Sequence, residues 1–393
     1  MRFASTVALL SAVFAAAFGY AAIMPLLPEL LSPLLPQAGA VALSWHAGAF
    51  AGVYMVAVVA FSRAWGAASD RYGAKPVILL GLAGSALAVS ALPFAEGVWS
   101  AYAGRAVQGA FASAILPVAT AALARIPDTA ERARKVAGLG AASLLGFFAA
   151  PALSAALVSS NIAGPVAAVL YSSALVALAA LAIVSSALRL EPKCAPEGAG
   201  ATRTLPARFL ALNLLAYFGL GAFEVALPLA ARGPLMADAA GVSLLFVECS
   251  VMMLLVQGAL AWAAPLRARF PQVLVAAIAV YGAGLLWLAG TGSFGAAVPA
   301  VGLTAAGAGL VLPLIGFLAT LEIRARPGAA LGTLTAAGGL GQALGSLSGG
   351  ALYGYAGMGM FTATAFAVAL GAWLASPSCA PRWLGGENGC TRI

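Results

Sequence analysis

Apolar residues run through this chain in long blocks separated by short polar stretches, and the blocks are too long for buried strands or ordinary core helices. A membrane-crossing helix needs about 20 mainly apolar residues. Windows of that size predict twelve spans. The first six are Ala4–Leu27, Ala47–Ser69, Pro76–Ala95, Trp99–Leu123, Val136–Ser159 and Pro165–Leu188. The second six are Ala207–Ala230, Val242–Ala264, Val273–Gly290, Ala296–Thr320, Ala330–Tyr353 and Gly357–Ala375. Between the two sets lies Arg189–Pro206, whose proline, glycine and charge read as an exposed linker. The pattern divides the chain into a six-helix bundle at 1–188, a linker at 189–206, a second bundle at 207–376 and a polar tail at 377–393. The predicted fold is an all-α membrane protein with twelve transmembrane helices in two pseudo-symmetric six-helix bundles.

Composition excludes the soluble alternative. Apolar residues make up 63% of the chain and charged ones 8%, against about a quarter charged in a soluble domain. Basic residues give the orientation. With both termini in the cytoplasm, Arg63 and Arg105 lie within spans and Arg232 alone falls outside; every other Lys and Arg lies on the cytoplasmic side. A multi-pass protein of a bacterial inner membrane is expected, and a monomer. The same distribution accounts for the net charge of +8, so no nucleic-acid partner is called for. The partners expected are the lipid bilayer, protons and a small-molecule substrate. The start of the chain also has the outline of a secretory signal, but its removal would leave an odd number of spans.

Cys194, Cys249, Cys379 and Cys390 show no Cys-x-x-Cys or Cys/His spacing, so no metal site, cofactor or disulfide framework is expected. No nucleophile–base pair or phosphate loop stands out, which leaves an enzyme or a sensor the least supported class.

Four stretches carry more specific information. Gly66-Ala67-Ala68-Ser69-Asp70-Arg71-Tyr72-Gly73-Ala74-Lys75 packs charges and glycines into a turn between two spans. Helix 1 ends in Pro25 and Pro28, two prolines three apart that free backbone carbonyls or simply mark a helix leaving the bilayer. Helix 4 carries Arg105-Ala106-Val107-Gln108-Gly109. Helix 5 carries Gly146, Ala150-Pro151 and Ser154-Ala155, and helix 11 answers it with Gly332, Gly341, Gly345-Ser346 and Gly349-Gly350. Small residues at such spacing let helices approach closely in lipid.

Together these stretches resemble the major facilitator superfamily, and within it the twelve-span drug/proton antiporter branch. The resemblance implies a cytoplasmic gate at Gly66, Asp70, Arg71, Gly73 and Lys75, with Asp70 pairing to a basic residue of a neighbouring helix. The branch pattern in helix 5 is G-x-x-x-G-P-x-x-G-G, so Ala150, Ser154 and Ala155 stand where it has glycines.

Three ionisable residues inside spans are the functional candidates. Arg105, Glu224 in helix 7 and Glu248 in helix 8 each lie about six residues, or about 9 Å, below the outer surface. An intramembrane charge is costly unless it faces water or a partner, although an arginine can snorkel outward and a glutamate can be interfacial. Carboxyls in low dielectric favour the protonated form, which suits them to carry protons, and an approaching arginine would expel the proton. Asn213, Tyr217 and Glu224 share a face of helix 7, and Met252 follows Glu248 one turn on. These, with Tyr20, Tyr54, Gln108 and Gln342, are the predicted substrate cavity; ordinary helix packing is the alternative. The expected function is proton-coupled export of a small amphipathic or apolar compound by alternating access. The alternative is carriage of one endogenous metabolite, nutrient or metal chelate, in either direction.

Overall fold

The computed structural model describes residues 3–124, 126, 128–160, 164–189, 205–262, 270–322 and 327–375. Its described residues form helices and turns, with no strand, in twelve helical spans. The first six are α1 (Phe3–Leu34), α2 (Ala40–Tyr72), α3 (Ala74–Ala91), α4 (Val98–Leu123), α5 (Thr129–Ser159) and α6 (Pro165–Ala187). The second six are α7 (Ala207–Ala231), α8 (Ala239–Trp262), α9 (Phe270–Ala289), α10 (Phe294–Glu322), α11 (Pro327–Ala356) and α12 (Gly359–Ala375). The predicted linker, apart from Arg189, Leu205 and Pro206, and the predicted tail lie outside the described residues, as do Cys194, Cys379 and Cys390. Cys249 is a buried free thiol.

Local chemistry sets the ends. Regular helix in α1 stops at Ala21, and the chain continues to Leu34 as three short helical turns, each with proline in its first two positions. Proline lacks an N–H and suits a first turn, so Pro25, Pro28 and Pro33 restart the helix instead of ending it at Leu27. α4 breaks at 113–115 and resumes at Leu116 with Pro117 in its first turn. α2 ends at Gly73, whose φ of 91° carries a strain for any residue with a Cβ, and α3 begins at the next residue.

Ten of these helices are long and apolar enough to cross a membrane. α12 is shorter, at 17 residues. In α11 the glycines, serines and Gln342 that build its packing faces dilute its apolar content.

The packing repeats six helices on. α1 packs on α5 and α6, α2 on α4, and α3 on α4 and α6; likewise α7 packs on α11 and α12, α8 on α10, and α9 on α10 and α12. The two halves meet along two equivalent seams, α2 with α11 and α8 with α5. Lipid supplies no hydrophobic drive between helices, so close backbone approach does the holding. At Gly48 an added Cβ would lie 2.6 Å from the Ser346 carbonyl oxygen and 3.0 Å from the Gly350 Cα. The α2–α11 seam runs antiparallel, from Val41 beside Gly354, through Ser44 beside Gly350, to Val59 beside Gly339.

The end of the bundle holding Gly73 is called here the near end, and the end holding the 35–39 loop the far end. At the far end Arg232, just past α7, reaches the last turns of α1 in the other half. Its Nε and Nη2 donate to Glu29 Oε1 at 3.3 and 3.2 Å, and its Nη1 donates to Ser32 Oγ at 2.6 Å. A cleft of about 420 Å³ between α1 and α5, lined by Thr6, Leu10, Glu131, Arg134, Lys135 and Gly138, opens at the near end.

Candidate functional site

Three helices from both halves converge on one carboxyl group. Tyr20 leaves α1 just before its proline turns, Glu224 projects from α7, and Gln342 projects from α11; all three are buried. Tyr20 Oη donates to Glu224 Oε2 at 2.7 Å. Gln342 Nε2 lies 3.0 Å from the same oxygen and 3.1 Å from Tyr20 Oη. The hydroxyl and the amide donate to the carboxyl without neutralising it, so its charge still depends on whether it holds a proton. A bond from the first half to the second through an ionisable group makes the contact between halves depend on that group's protonation.

Arg105 sits beside this cluster on α4 and is fully buried. Its Nη1 donates to Gln108 Oε1 at 2.7 Å, one turn on. Gln108 in turn donates through Nε2 to the Gly19 carbonyl at 3.1 Å, which ties α4 to α1. Three rings surround the guanidinium, with Tyr54 at 4.4 Å, Tyr20 at 5.3 Å and Phe50 at 5.5 Å from Cζ to centroid. An arginine at a helix centre in the bilayer costs about 2.5–3.5 kcal/mol on insertion scales. Desolvated cation–π contacts return up to about 2 kcal/mol each, and a charged hydrogen bond about 1.5–3 kcal/mol, so the site tolerates the charge. Arg105 Nε and Nη2 nevertheless have no acceptor. Among the described residues Arg105 has no ion-pair partner.

The other predicted residues fall into three groups. Glu248 is half-buried and stands apart from the cluster, with Oε1 against Gly302 of α10 and the Met252 methyl close by. Of the two carboxyls expected at the depth of Arg105, Glu224 is linked to it through Tyr20, and Glu248 faces α10. Asn213 donates to the Leu334 carbonyl at 2.7 Å, and Tyr217 packs on Gly338, so both lie at the α7–α11 contact.

At the near end Asp70 and Arg71 are exposed; Arg71 lies over the Tyr72 ring at 5.3 Å. Lys75 Nζ donates to the Ser185 carbonyl of α6 at 2.7 Å. Gly66 has open space where a side chain would be, and Gly73 makes the turn. Asp70 has no ion-pair partner among the described residues.

Some contacts were not anticipated from sequence. Phe50 precedes Tyr54 by four residues, and that spacing on one helix face is a signal that would have placed it over Arg105. His46 pairs with Tyr102 at 2.6 Å, and nothing in the spacing of 46 and 102 announces that contact. The Glu29–Arg232 pair needs the proline turns of α1 to carry Glu29 back across the far end.

A sequence profile of the Major Facilitator Superfamily matches residues 9–346. The tetracycline resistance protein, class D, of Salmonella ordonez is 34% identical over 207 residues, 51% of each chain. The class G protein of Vibrio anguillarum is 37% identical over 157 residues, 40% of this chain and 39% of its own. The matches thus span about half the length of these curated relatives or less. Among solved structures, a partially occluded inward open conformation of the xylose transporter XylE from E. coli superposes with a TM-score of 0.73 at 15% identity, covering 94% of this chain and 96% of that one. The human organic anion transporter MFSD10 (TETRAN) superposes with a TM-score of 0.71 at 18% identity, covering 95% and 99%. At these identities the two structures speak for the fold alone.

Proposed function

The chain belongs to the Major Facilitator Superfamily, and we propose that within it this protein exports a small amphipathic compound across a bacterial inner membrane in exchange for protons. The observation that carries the reading is the Tyr20–Glu224–Gln342 cluster, which spans both halves beside the buried Arg105. The tetracycline resistance relatives support export of such a compound. The moving bodies are the bundles at 1–188 and 207–376, joined by a cytoplasmic linker, with both termini in the cytoplasm and one chain sufficing. The far end faces out and is closed by the α2–α11 seam and the Glu29–Arg232 pair.

In the proposed cycle Glu224 takes a proton from the outside and gives it up to the inside, and the solute travels the other way. Protonation weakens the charge-assisted bonds from Tyr20 and Gln342, which loosens α1 from α7 and α11. The ligand and the proton each favour one facing state by their differential affinity for it. Glu248, half-buried and turned toward α10, is the second candidate carrier, and the near-end residues Gly66 to Lys75 act as the inner gate.

The test is a pH gradient in everted membrane vesicles. Addition of a transported compound should dissipate an acid-interior gradient at a rate that saturates with its concentration. Transport of the compound with no change in the gradient would refute proton exchange.

A second reading, carriage of one endogenous metabolite in either direction, is favoured by α5. There Ser154, which stands at a glycine of the antiporter pattern, reaches toward the Ala22 carbonyl of α1 at 3.5 Å. Broad resistance on overexpression supports the first reading; accumulation of one compound on deletion, without resistance, supports the second.

A further inference from the structure

From the unused edge of Arg105 we infer the chemical class of the solute: an amphipathic organic acid whose carboxylate docks on Nε and Nη2. The inference rests on the transporter reading above and adds the charge of what is carried. Arg105 is fully buried, and its Nε and Nη2 donors meet no protein acceptor. An uncompensated donor in such a place is costly, and far more so on a charged group. Gln108 takes up Nη1 and three aromatic rings cover the guanidinium. What is left is the side edge, where Nε–H and one Nη2–H point the same way. That pair of parallel donors matches the two oxygens of a carboxylate, in the bidentate geometry that makes arginine the preferred partner of such groups.

Aromatic neighbours add the second half of the specificity. Tyr20 and Tyr54 stand 5.0 Å apart between ring centroids, with Phe147 against Tyr20 at 5.8 Å. Rings offer flat apolar surface to the body of a ligand whose charged end is held by the guanidinium. The protein's own nearby carboxyl does not fill the role in this conformation: Glu224 accepts from Tyr20 and Gln342 through Oε2, and neither Nε nor Nη2 of Arg105 bonds to it. Glu224 is instead the competitor: when the solute leaves, the same edge is free to attract it. Solute and Glu224 alternating on one guanidinium is a direct route to exchange.

The experiment is equilibrium binding to the purified full chain in detergent, with no membrane and no gradient. The probes are matched pairs of an aromatic acid and its primary amide: benzoate and benzamide, 1-naphthoate and 1-naphthamide, indole-3-acetate and indole-3-acetamide. At least one acid should bind ten-fold or more tightly than its amide. Arg105→Lys, which keeps the charge and loses the fork, should reduce that preference at least ten-fold. Glu224→Gln, which removes the competitor, should tighten acid binding. Amides binding as well as acids, no binding by any pair, or acid binding unchanged or weaker in Glu224→Gln would overturn the inference. The wild-type comparison needs no variant to fold. Absence of proton exchange in vesicles alongside a clear acid preference would refute the functional reading and leave this one standing.

Discussion

A single methyl group at Gly48 tests whether the α2–α11 seam holds the far end shut. The Cβ of Gly48→Ala would stand 2.6 Å from the Ser346 carbonyl oxygen, 3.0 Å from the Gly350 Cα and 3.1 Å from the Leu347 carbonyl oxygen. All three are backbone atoms, so no side chain can swing aside. Ordinary contact begins near 3.4 Å, and the helices must separate by roughly 0.8 Å at this level or the seam must open. Overpacking of this kind costs about 1–3 kcal/mol. Because the clash exists only when the far end is closed, the cost falls on that state, and the ratio of open to closed should rise about 5- to 150-fold. Ser44 lies in the same seam, beside Gly350, and is buried. With Ser44→Cys as the reporter in a chain whose own cysteines are replaced, labelling by a membrane-impermeant maleimide should accelerate by that factor in Gly48→Ala. The control is Gly140→Ala on an exposed position of α5, where nothing lies within 4 Å and labelling should not change. An unchanged labelling rate in a folded Gly48→Ala protein would refute the seam as the outer closure.

Smaller effects are expected elsewhere. Arg232→Ala should raise the same labelling no more than about five-fold, because the pair with Glu29 is partly exposed and such pairs contribute about 1 kcal/mol or less. In about 1 M salt, where screening reaches the pair, the difference from wild type should shrink. Gly73→Ala forces an L-residue to a φ of 91° and should lower unfolding stability by about 1–2 kcal/mol in a denaturant titration. Asn213→Leu removes the bond to the Leu334 carbonyl and should cost about 1 kcal/mol in the same titration.

Much of this architecture is legible in the residue pattern because the bilayer imposes a length on each span, and Gly, Pro and charge mark the turns. The helix 5 and helix 11 glycines pointed to duplicated halves, and the contacts repeat six helices on. Arg105, Gln108 and Tyr54 were legible as candidates because polar groups in a span are rare enough to stand out. Their arrangement was not, since depth along a helix is a one-dimensional coordinate and says nothing about rotation about the axis. Glu224 and Glu248 were placed at one height, yet Glu224 turns toward Tyr20 and Glu248 toward Gly302. Helix 1 shows a different failure. Its prolines read as an end, but each sits in the first turn of a new helical segment and carries the chain on to Leu34. That extension delivers Glu29 to Arg232.

In the proposed cycle Glu224 is the group through which proton and solute are exchanged. Glu224→Gln keeps the size and the partners Tyr20 and Gln342 but cannot ionise. In proteoliposomes it should still exchange labelled for unlabelled solute at equal concentrations, and it should fail to accumulate solute when a pH gradient is imposed. Accumulation at the wild-type level under that gradient would contradict the account.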